Sequence, residues 1–133
     1  MGRGQLDVLW PTNDLSTNDP NDASLSLLAS IDGVTLLLTG DVSATHALDA
    51  CAPAQILKAA HHGSKNGTTA QALSACAPEA VLVSASNTTG AERPQAWTDA
   101  PVYLTKDCGA ITIHIENGQY TITPFQATQR KEP

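Results

Sequence analysis

The stretch LLLTGDVSATHALDACAPAQILKAAHHGSK, residues 36–65, decides the fold. Two apolar segments, residues 34–38 and 55–60, have the length and composition of β-strands. The first runs into Thr39-Gly40-Asp41 and the second into His61-His62-Gly63-Ser64-Lys65. A short helix between them would let the two strands lie side by side and parallel. Their ends would then bring one carboxylate and two imidazoles to the same edge of a sheet.

The composition fits one soluble globular domain. The chain has 133 residues, of which 41% are hydrophobic and 15% are charged, enough for a single core and too few for two. No apolar run approaches the roughly 20 residues of a membrane span, and the N-terminus lacks the apolar region of a secretory signal. These patterns predict a soluble protein and leave its compartment open.

Charge and cysteine content exclude further classes. The net charge of -6 argues against a protein that coats nucleic acid irrespective of sequence, which would carry a basic face. It leaves room for a phosphate-bearing substrate at a local site. The three cysteines, Cys51, Cys76 and Cys108, show no CxxC spacing. We expect them to be free, small core residues in a reducing compartment.

The N-terminal third predicts antiparallel strands. Residues 6–10 form a strand that Pro11 ends, and residues 24–31 form the next strand. Asp32-Gly33 is a tight hairpin turn into residues 34–38. The polar segment 12–22 between the first two strands is either a functional loop or a disordered connection.

The middle of the chain repeats a helix followed by a strand. One helix is predicted over residues 44–51 with Ser43 as its cap, and a second runs from Thr68 or Thr69 to Cys76. Residues 48–57 match residues 73–82, and in both copies Ala-Cys-Ala-Pro precedes a buried strand. Helix and strand alternating in this way predict a βαβαβ unit with a parallel sheet.

Beyond the second repeat, a strand at residues 79–85 is followed by a polar loop at 87–99. Strands are then predicted at residues 102–104, 110–116 and 119–124, with Asn117-Gly118 as a hairpin turn. The tail, 126–133, is expected to fray. The fold class is therefore α/β, a mixed sheet with a C-terminal β-hairpin.

The candidate site follows from where the parallel strands end. Ligands of open α/β sheets bind beyond the carboxyl ends of the strands, where Asp41, residues 61–65, 84–87 and 105–107 would lie. Carboxylate and imidazole groups together suit a divalent metal such as zinc or manganese. Adjacent extended histidines cannot point the same way, so one would bind metal and the other would face substrate or donate a hydrogen bond. Ser64 and Lys65 could contact a phosphate.

Each of these motifs also has a purely structural interpretation. Thr39-Gly40-Asp41 alone could be an ordinary turn, as could Lys106-Asp107, and a pair of histidines in a loop could be polar surface. The metal-site interpretation rests on their joint position at consecutive strand ends. His46 and His114 are expected to be surface or structural residues.

The segments LLLTGD (36–41) and ILKAAHHGSK (56–65) resemble the metallo-β-lactamase-type domain of ComEC-like competence proteins. The resemblance implies that Asp41 bridges two metals, that His62 is a metal ligand, and that a metal-activated water attacks DNA or another phosphodiester. It implies that His61 contacts the substrate, and we expect His61 and Lys65 to be the catalytic residues. Residues in substrate contact would be Ser64, Asn87 and Lys106.

The chain departs from that family in two places. The family's main metal motif, His-x-His-x-Asp-His, occurs nowhere in it, and residues 90–94 read Gly-Ala-Glu-Arg-Pro where the family has Gly-His-Pro. The resemblance therefore covers the C-terminal half of a four-layer αββα sandwich. We expect weak or no activity alone, and either a missing N-terminal half or self-association to complete the fold. The family's domain lies outside the cytoplasm on a membrane protein.

Two other interpretations stay open. The chain could be a non-catalytic α/β binding or assembly module derived from that fold. It could also be a self-sufficient hydrolase with a single metal on Asp41, His61 and His62, although three-ligand geometry is awkward for adjacent histidines.

Overall fold

A computed structural model of the chain describes residues 4–12, 24–64, 66–85 and 93–125, with Arg93 described by its backbone alone. Within them the fold is mixed α/β, with a six-stranded sheet and a separate two-stranded hairpin. The strands are β1 (Gly4–Trp10), β2 (Ser26–Ile31), β3 (Val34–Leu38), β4 (Ile56–Lys58), β5 (Ala80–Val83), β6 (Val102–Leu104), β7 (Ile111–Glu116) and β8 (Gln119–Pro124). The α-helices are α1 (Ala70–Cys76) and α2 (Thr105–Cys108), and shorter 3₁₀ turns cover Ala44–His46, Ala60–Gly63 and Arg93–Ala96.

The large sheet has the strand order β1-β2-β3-β4-β5-β6. β1, β2 and β3 pair antiparallel, whereas β3, β4, β5 and β6 are parallel. The predicted hairpin turn is confirmed: Asp32 and Gly33 have φ values of 49° and 87°, the left-handed conformation that a tight turn between twisted strands requires. The mixed sheet predicted from the sequence is therefore present.

The predicted strands are confirmed in position and trimmed at their ends. The strand expected at 24–31 begins at Ser26, and the one expected at 55–60 is only Ile56–Lys58. The strand expected at 79–85 is Ala80–Val83. β4 ends early because the backbone turns into a left-handed conformation two residues after Ala59, at His61.

The first predicted helix is wrong. Residues 44–51 contain a 3₁₀ turn over Ala44–His46 followed by further turns, and Ser43 makes no capping hydrogen bond. Contacts with distant residues stabilise these turns in place of an α-helix. The ring of His46 stacks on Trp10 with centroids 4.6 Å apart, and the Ser26 hydroxyl donates to the Ala50 carbonyl at 2.7 Å. His46 is thus structural, as expected.

The second predicted helix is confirmed. α1 begins after Thr69, whose side-chain oxygen accepts a hydrogen bond from Ala72 N at 3.1 Å. It ends at Ala77, which takes a left-handed conformation ahead of Pro78. β4, α1 and β5 therefore form a βαβ unit, the second half of the predicted βαβαβ arrangement.

The core lies between α1 and one face of the parallel strands. Leu37, Leu57, Val81 and Val102 occupy neighbouring register positions on four consecutive strands and are almost fully buried. Leu73 and Cys76 of α1 belong to the same cluster. Small aliphatic side chains thus supply most of this cluster, as the low aromatic content predicts.

The C-terminal hairpin is confirmed and contacts the sheet at its turn. Asn117 and Gly118 both have positive φ, and the Asn117 amide donates to the Asp32 carboxylate at 2.8 Å. The Tyr120 hydroxyl donates to Glu79 at 2.9 Å. His114 is exposed on β7 with its Nε2 3.2 Å from the carboxylate of Glu116, which agrees with a surface position.

The loops predicted at 12–22 and 87–99 and the tail at 126–133 lie mostly outside the residues that the structure describes. The parts not described there are residues 13–23, 86–92 and 126–133. Among the described residues, no helix has both the length and the hydropathy to cross a bilayer. All three cysteines are free thiols; Cys76 and Cys108 are buried and Cys51 is partly exposed.

Candidate functional site

Hydrogen bonds join each neighbouring pair of the four parallel strands at their carboxyl ends. The Ala59 amide, after β4, donates to the Leu82 carbonyl of β5 at 2.9 Å. The Thr39 hydroxyl, after β3, donates to the Lys58 carbonyl at the end of β4 at 2.6 Å. The Thr105 hydroxyl, after β6, donates to the Ala85 carbonyl at 3.0 Å and accepts from the Ala85 amide at 2.9 Å. The edge predicted to carry the site is therefore a single connected surface.

The backbone at His61-His62-Gly63 is left-handed at three consecutive residues. His61 has φ 54° and ψ 42°, His62 has φ 58° and ψ 29°, and Gly63 has φ 79°. This conformation costs a non-glycine residue about 1–2 kcal/mol. Strained backbone of this kind persists where the surrounding structure imposes it, and it clusters at functional sites.

Several contacts impose this conformation. The His61 amide donates to the Gly40 carbonyl at 2.9 Å, so the histidine loop is bound to the loop that carries Asp41. The buried Thr68 hydroxyl donates to the Ala60 carbonyl at 2.7 Å. A Cβ at Gly67 would lie only 2.5 Å from the Cβ of His61, which shows how closely the returning chain packs against the loop.

His62 presents one ring nitrogen at the edge. Its Nδ1 lies 2.7 Å from the Ser84 carbonyl beyond β5. Because a carbonyl can only accept, Nδ1 carries the hydrogen, and in the neutral ring Nε2 keeps the lone pair. Histidines that bind metals have this arrangement, in which a backbone carbonyl fixes the orientation of the ring. The side chain is exposed.

His61 and His62 do not have the backbone that the prediction assumed, and their rings lie edge to face. The prediction assumed an extended backbone, whereas both residues are left-handed. Their ring centroids are 6.4 Å apart with the ring planes at 76°. His61 is partly buried, and its Nδ1 is 3.3 Å from the hydroxyl of Ser64.

Lys58 is a charged residue at this edge that the sequence analysis missed. It is the last residue of β4 and is partly buried. Burial lowers the pKa of its ammonium group, and the nearby Asp41 carboxylate opposes that effect. A single lysine within the apolar run Ile56-Leu57-Lys58-Ala59-Ala60 was the available signal, since a cation in a buried strand needs a partner.

The other predicted site residues differ in exposure, and two of them are not described by the structure. Ser64 is buried, and its hydroxyl oxygen accepts from the Asn66 amide at 3.3 Å, so it supports the loop from within. Lys106 is exposed on α2. Lys65 and Asn87 lie outside the described residues.

The donors at this edge suit a metal in type but are too few in number. Asp41 and His62 offer a carboxylate and an imidazole, which zinc and manganese accept. Within the described part of the chain, however, no three or more His, Cys, Asp or Glu side chains lie close enough together to hold an ion. Catalytic zinc sites use three protein ligands, and the described residues do not bring such a set together.

No protein-family model matches the chain, and no curated protein matches it.

Proposed function

We propose that this chain carries part of the active site of a metal-dependent hydrolase of phosphodiesters, of the kind its resemblance to ComEC-like domains implies. The observation that supports this most is the left-handed His61-His62-Gly63 backbone with His62 Nδ1 bonded to the Ser84 carbonyl. The chain bears the cost of this strain at the edge where α/β proteins bind ligands.

In this proposal Asp41 and His62 are metal ligands, with zinc or manganese as the ion. The metal would supply an activated water and a positive charge for the phosphate oxygens. The Ser84 carbonyl holds the proton on Nδ1, so that Nε2 of the neutral His62 ring keeps the lone pair that would bind the metal. Lys58 adds a cation beside Asp41. His61, Lys65, Asn87 and Lys106 keep their predicted catalytic or substrate-binding roles in this proposal, whereas the buried Ser64 supports the loop.

The two described donors imply that further ligands come from elsewhere. Another segment, another chain or a second copy of this chain would supply them, and the phosphodiester could be DNA or a smaller compound. We therefore expect the chain alone to bind metal weakly and to turn over substrate slowly. Robust turnover by a monomer would contradict this part of the proposal.

The test measures zinc affinity by isothermal titration calorimetry. The proteins compared are the wild-type chain, Asp41→Ala and His62→Ala. Loss of residues that merely support a metal ligand weakens metal affinity about 10–100-fold, so loss of a ligand should weaken it at least about tenfold. His114→Ala is the control, because His114 is an exposed histidine on the C-terminal hairpin. It should bind zinc like the wild type.

A second candidate function is a binding or assembly module without metal. The shortage of donors among the described residues favours it. Under this alternative, the wild type and Asp41→Ala would show the same zinc affinity, or none, and both would be equally stable. That result would overturn the hydrolase proposal.

A further inference from the structure

The two copies of the Ala-Cys-Ala-Pro repeat meet in the fold. Cys51 Sγ donates to the Ala72 carbonyl of α1 at 3.2 Å, and Ala54 N donates to the carbonyl of Cys76 at 3.2 Å. Cys76 Sγ is 3.9 Å from the Ala54 carbonyl. Residues 51–54 therefore run along the last turn of α1, which brings Cys51 and Cys76 close to each other.

The two thiols differ in access. Cys76 is only 1% exposed, whereas Cys51 is partly exposed. Cys51 also borders a cavity of about 20 Å³, which Thr39, Ala60 and Thr68 line from the side of the candidate site. A cavity of this size holds about one molecule the size of water. Because Cys51 is partly exposed and Cys76 is buried, a small oxidant in solution can reach Cys51 before Cys76.

They also differ in reactivity. The neighbouring Cys76 thiol lowers the pKa of the Cys51 thiol, and this outweighs the opposing effect of burial. The pKa of Cys76 is raised well above its usual range, chiefly by the neighbouring Cys51 thiol. Because the thiolate is the nucleophile, Cys51 is suited to attack an oxidant and Cys76 to remain protonated until later.

We propose that Cys51 and Cys76 form a reversible disulfide in response to peroxide, which ties the β3–β4 connection to the end of α1. Cys51 thiolate attacks one peroxide oxygen; the S–O bond forms, the O–O bond breaks, and the departing hydroxide is protonated to water. The Cys76 thiol then gives up its proton, and its sulfur attacks the sulfenic sulfur of Cys51. The S–S bond forms as the S–O bond breaks, and hydroxide leaves with the Cys76 proton as a second water.

The experiment uses the full chain, first reduced and then treated with hydrogen peroxide. Before alkylation, the intact mass of the oxidised chain should be two hydrogens lower than that of the reduced chain. After denaturation and alkylation, we expect one alkylated cysteine instead of three. Peptide mapping should join the peptides that contain Cys51 and Cys76 within one chain, and dithiothreitol should restore three alkylatable thiols. Three alkylated cysteines after peroxide, or a bond that involves Cys108 or a second chain, would overturn the proposal.

Variants assign the order of the steps. In Cys76→Ser, oxidation should stop at a sulfenic acid on Cys51 that dimedone captures. Cys108→Ser is the matched control, because Cys108 is fully buried on α2, and it should form the disulfide as the wild type does. Dimedone capture at Cys76 in Cys51→Ser at the same rate would contradict Cys51 as the attacking residue. Mapping of the wild type decides the proposal even if a variant fails to fold.

Discussion

Gly67 occupies a position where a side chain does not fit. A Cβ there would lie 2.5 Å from the Cβ of His61 and 2.7 Å from the Val42 carbonyl oxygen. Neither atom is the far end of a flexible side chain, so Gly67→Ala must displace the backbone of the histidine loop. We expect the variant to lose about 1–3 kcal/mol of unfolding free energy, the usual cost of overpacking, as measured by urea denaturation.

Gly4→Ala is the control for that substitution. The nearest atom to a Cβ at Gly4 is the Ser30 carbonyl oxygen at 3.8 Å, an ordinary contact. Its stability should stay close to that of the wild type. Equal stability of the two variants would show that the chain at Gly67 moves aside without cost.

At the scale of single residues, the sequence predicts position better than conformation. Asp41, His61 and His62 reach one edge because each follows a parallel strand, and strands are legible as apolar runs. The left-handed backbone of the two histidines is not legible, because it arises from contacts with Gly40, Ala60 and Gly67 rather than from histidine itself. The proximity of Lys58 to Asp41 likewise depends on the packing of the two loops.

Among the elements, α1 depends on its N-terminal cap. The Thr69 hydroxyl oxygen accepts a hydrogen bond from the Ala72 amide. Amides in the first turn of a helix have no backbone carbonyl of the helix to donate to, so the side chain supplies the acceptor. Thr69→Ala should lower the unfolding free energy by about 1 kcal/mol, a typical cost for a lost cap. Thermal unfolding followed by circular dichroism measures the change.

The control is Ser74→Ala, an exposed position within the same helix. Alanine has the higher helix propensity, so this variant should be as stable as the wild type or slightly more stable. A loss at Ser74 as large as that at Thr69 would mean that the cap itself contributes little.

The two predicted helices show where element prediction fails. Ser43 and Thr69 both fit the pattern of a cap before a helix, yet only Thr69 caps one. The segment after Ser43 is held by Trp10 and Ser26, which lie far from it in sequence. The strands and both hairpin turns were predictable because alternation, Asp-Gly and Asn-Gly are local signals.

For the molecule as a whole, the hydrogen bond between Tyr120 and Glu79 joins the C-terminal hairpin to the large sheet. Burial, together with the hydrogen bond and charge of Glu79, raises the pKa of Tyr120 to about 12. The unfolded residue releases its proton near pH 10. The resulting stability is fully present below about pH 10 and is lost as the pH rises towards 12.

This pH dependence is measurable because the chain has only two tyrosines. Subtracting the tyrosinate absorbance titration of Tyr120→Phe from that of the wild type should give a midpoint near pH 12. Glu79→Gln should move that midpoint down, because glutamine keeps an acceptor and removes the charge. A wild-type difference curve centred near pH 10 would mean that the hairpin does not hold Tyr120 against Glu79.

The left-handed backbone at His62 sets two evolutionary pressures against each other. Glycine adopts this conformation freely, so glycine at position 62 would relieve strain while removing the imidazole that the Ser84 carbonyl orients. A library randomised at this position and sorted for folding alone should enrich glycine. Sorting the same library for metal retention should enrich histidine. A difference between the residues enriched by the two sorts would show that histidine is kept at position 62 for binding and not for folding.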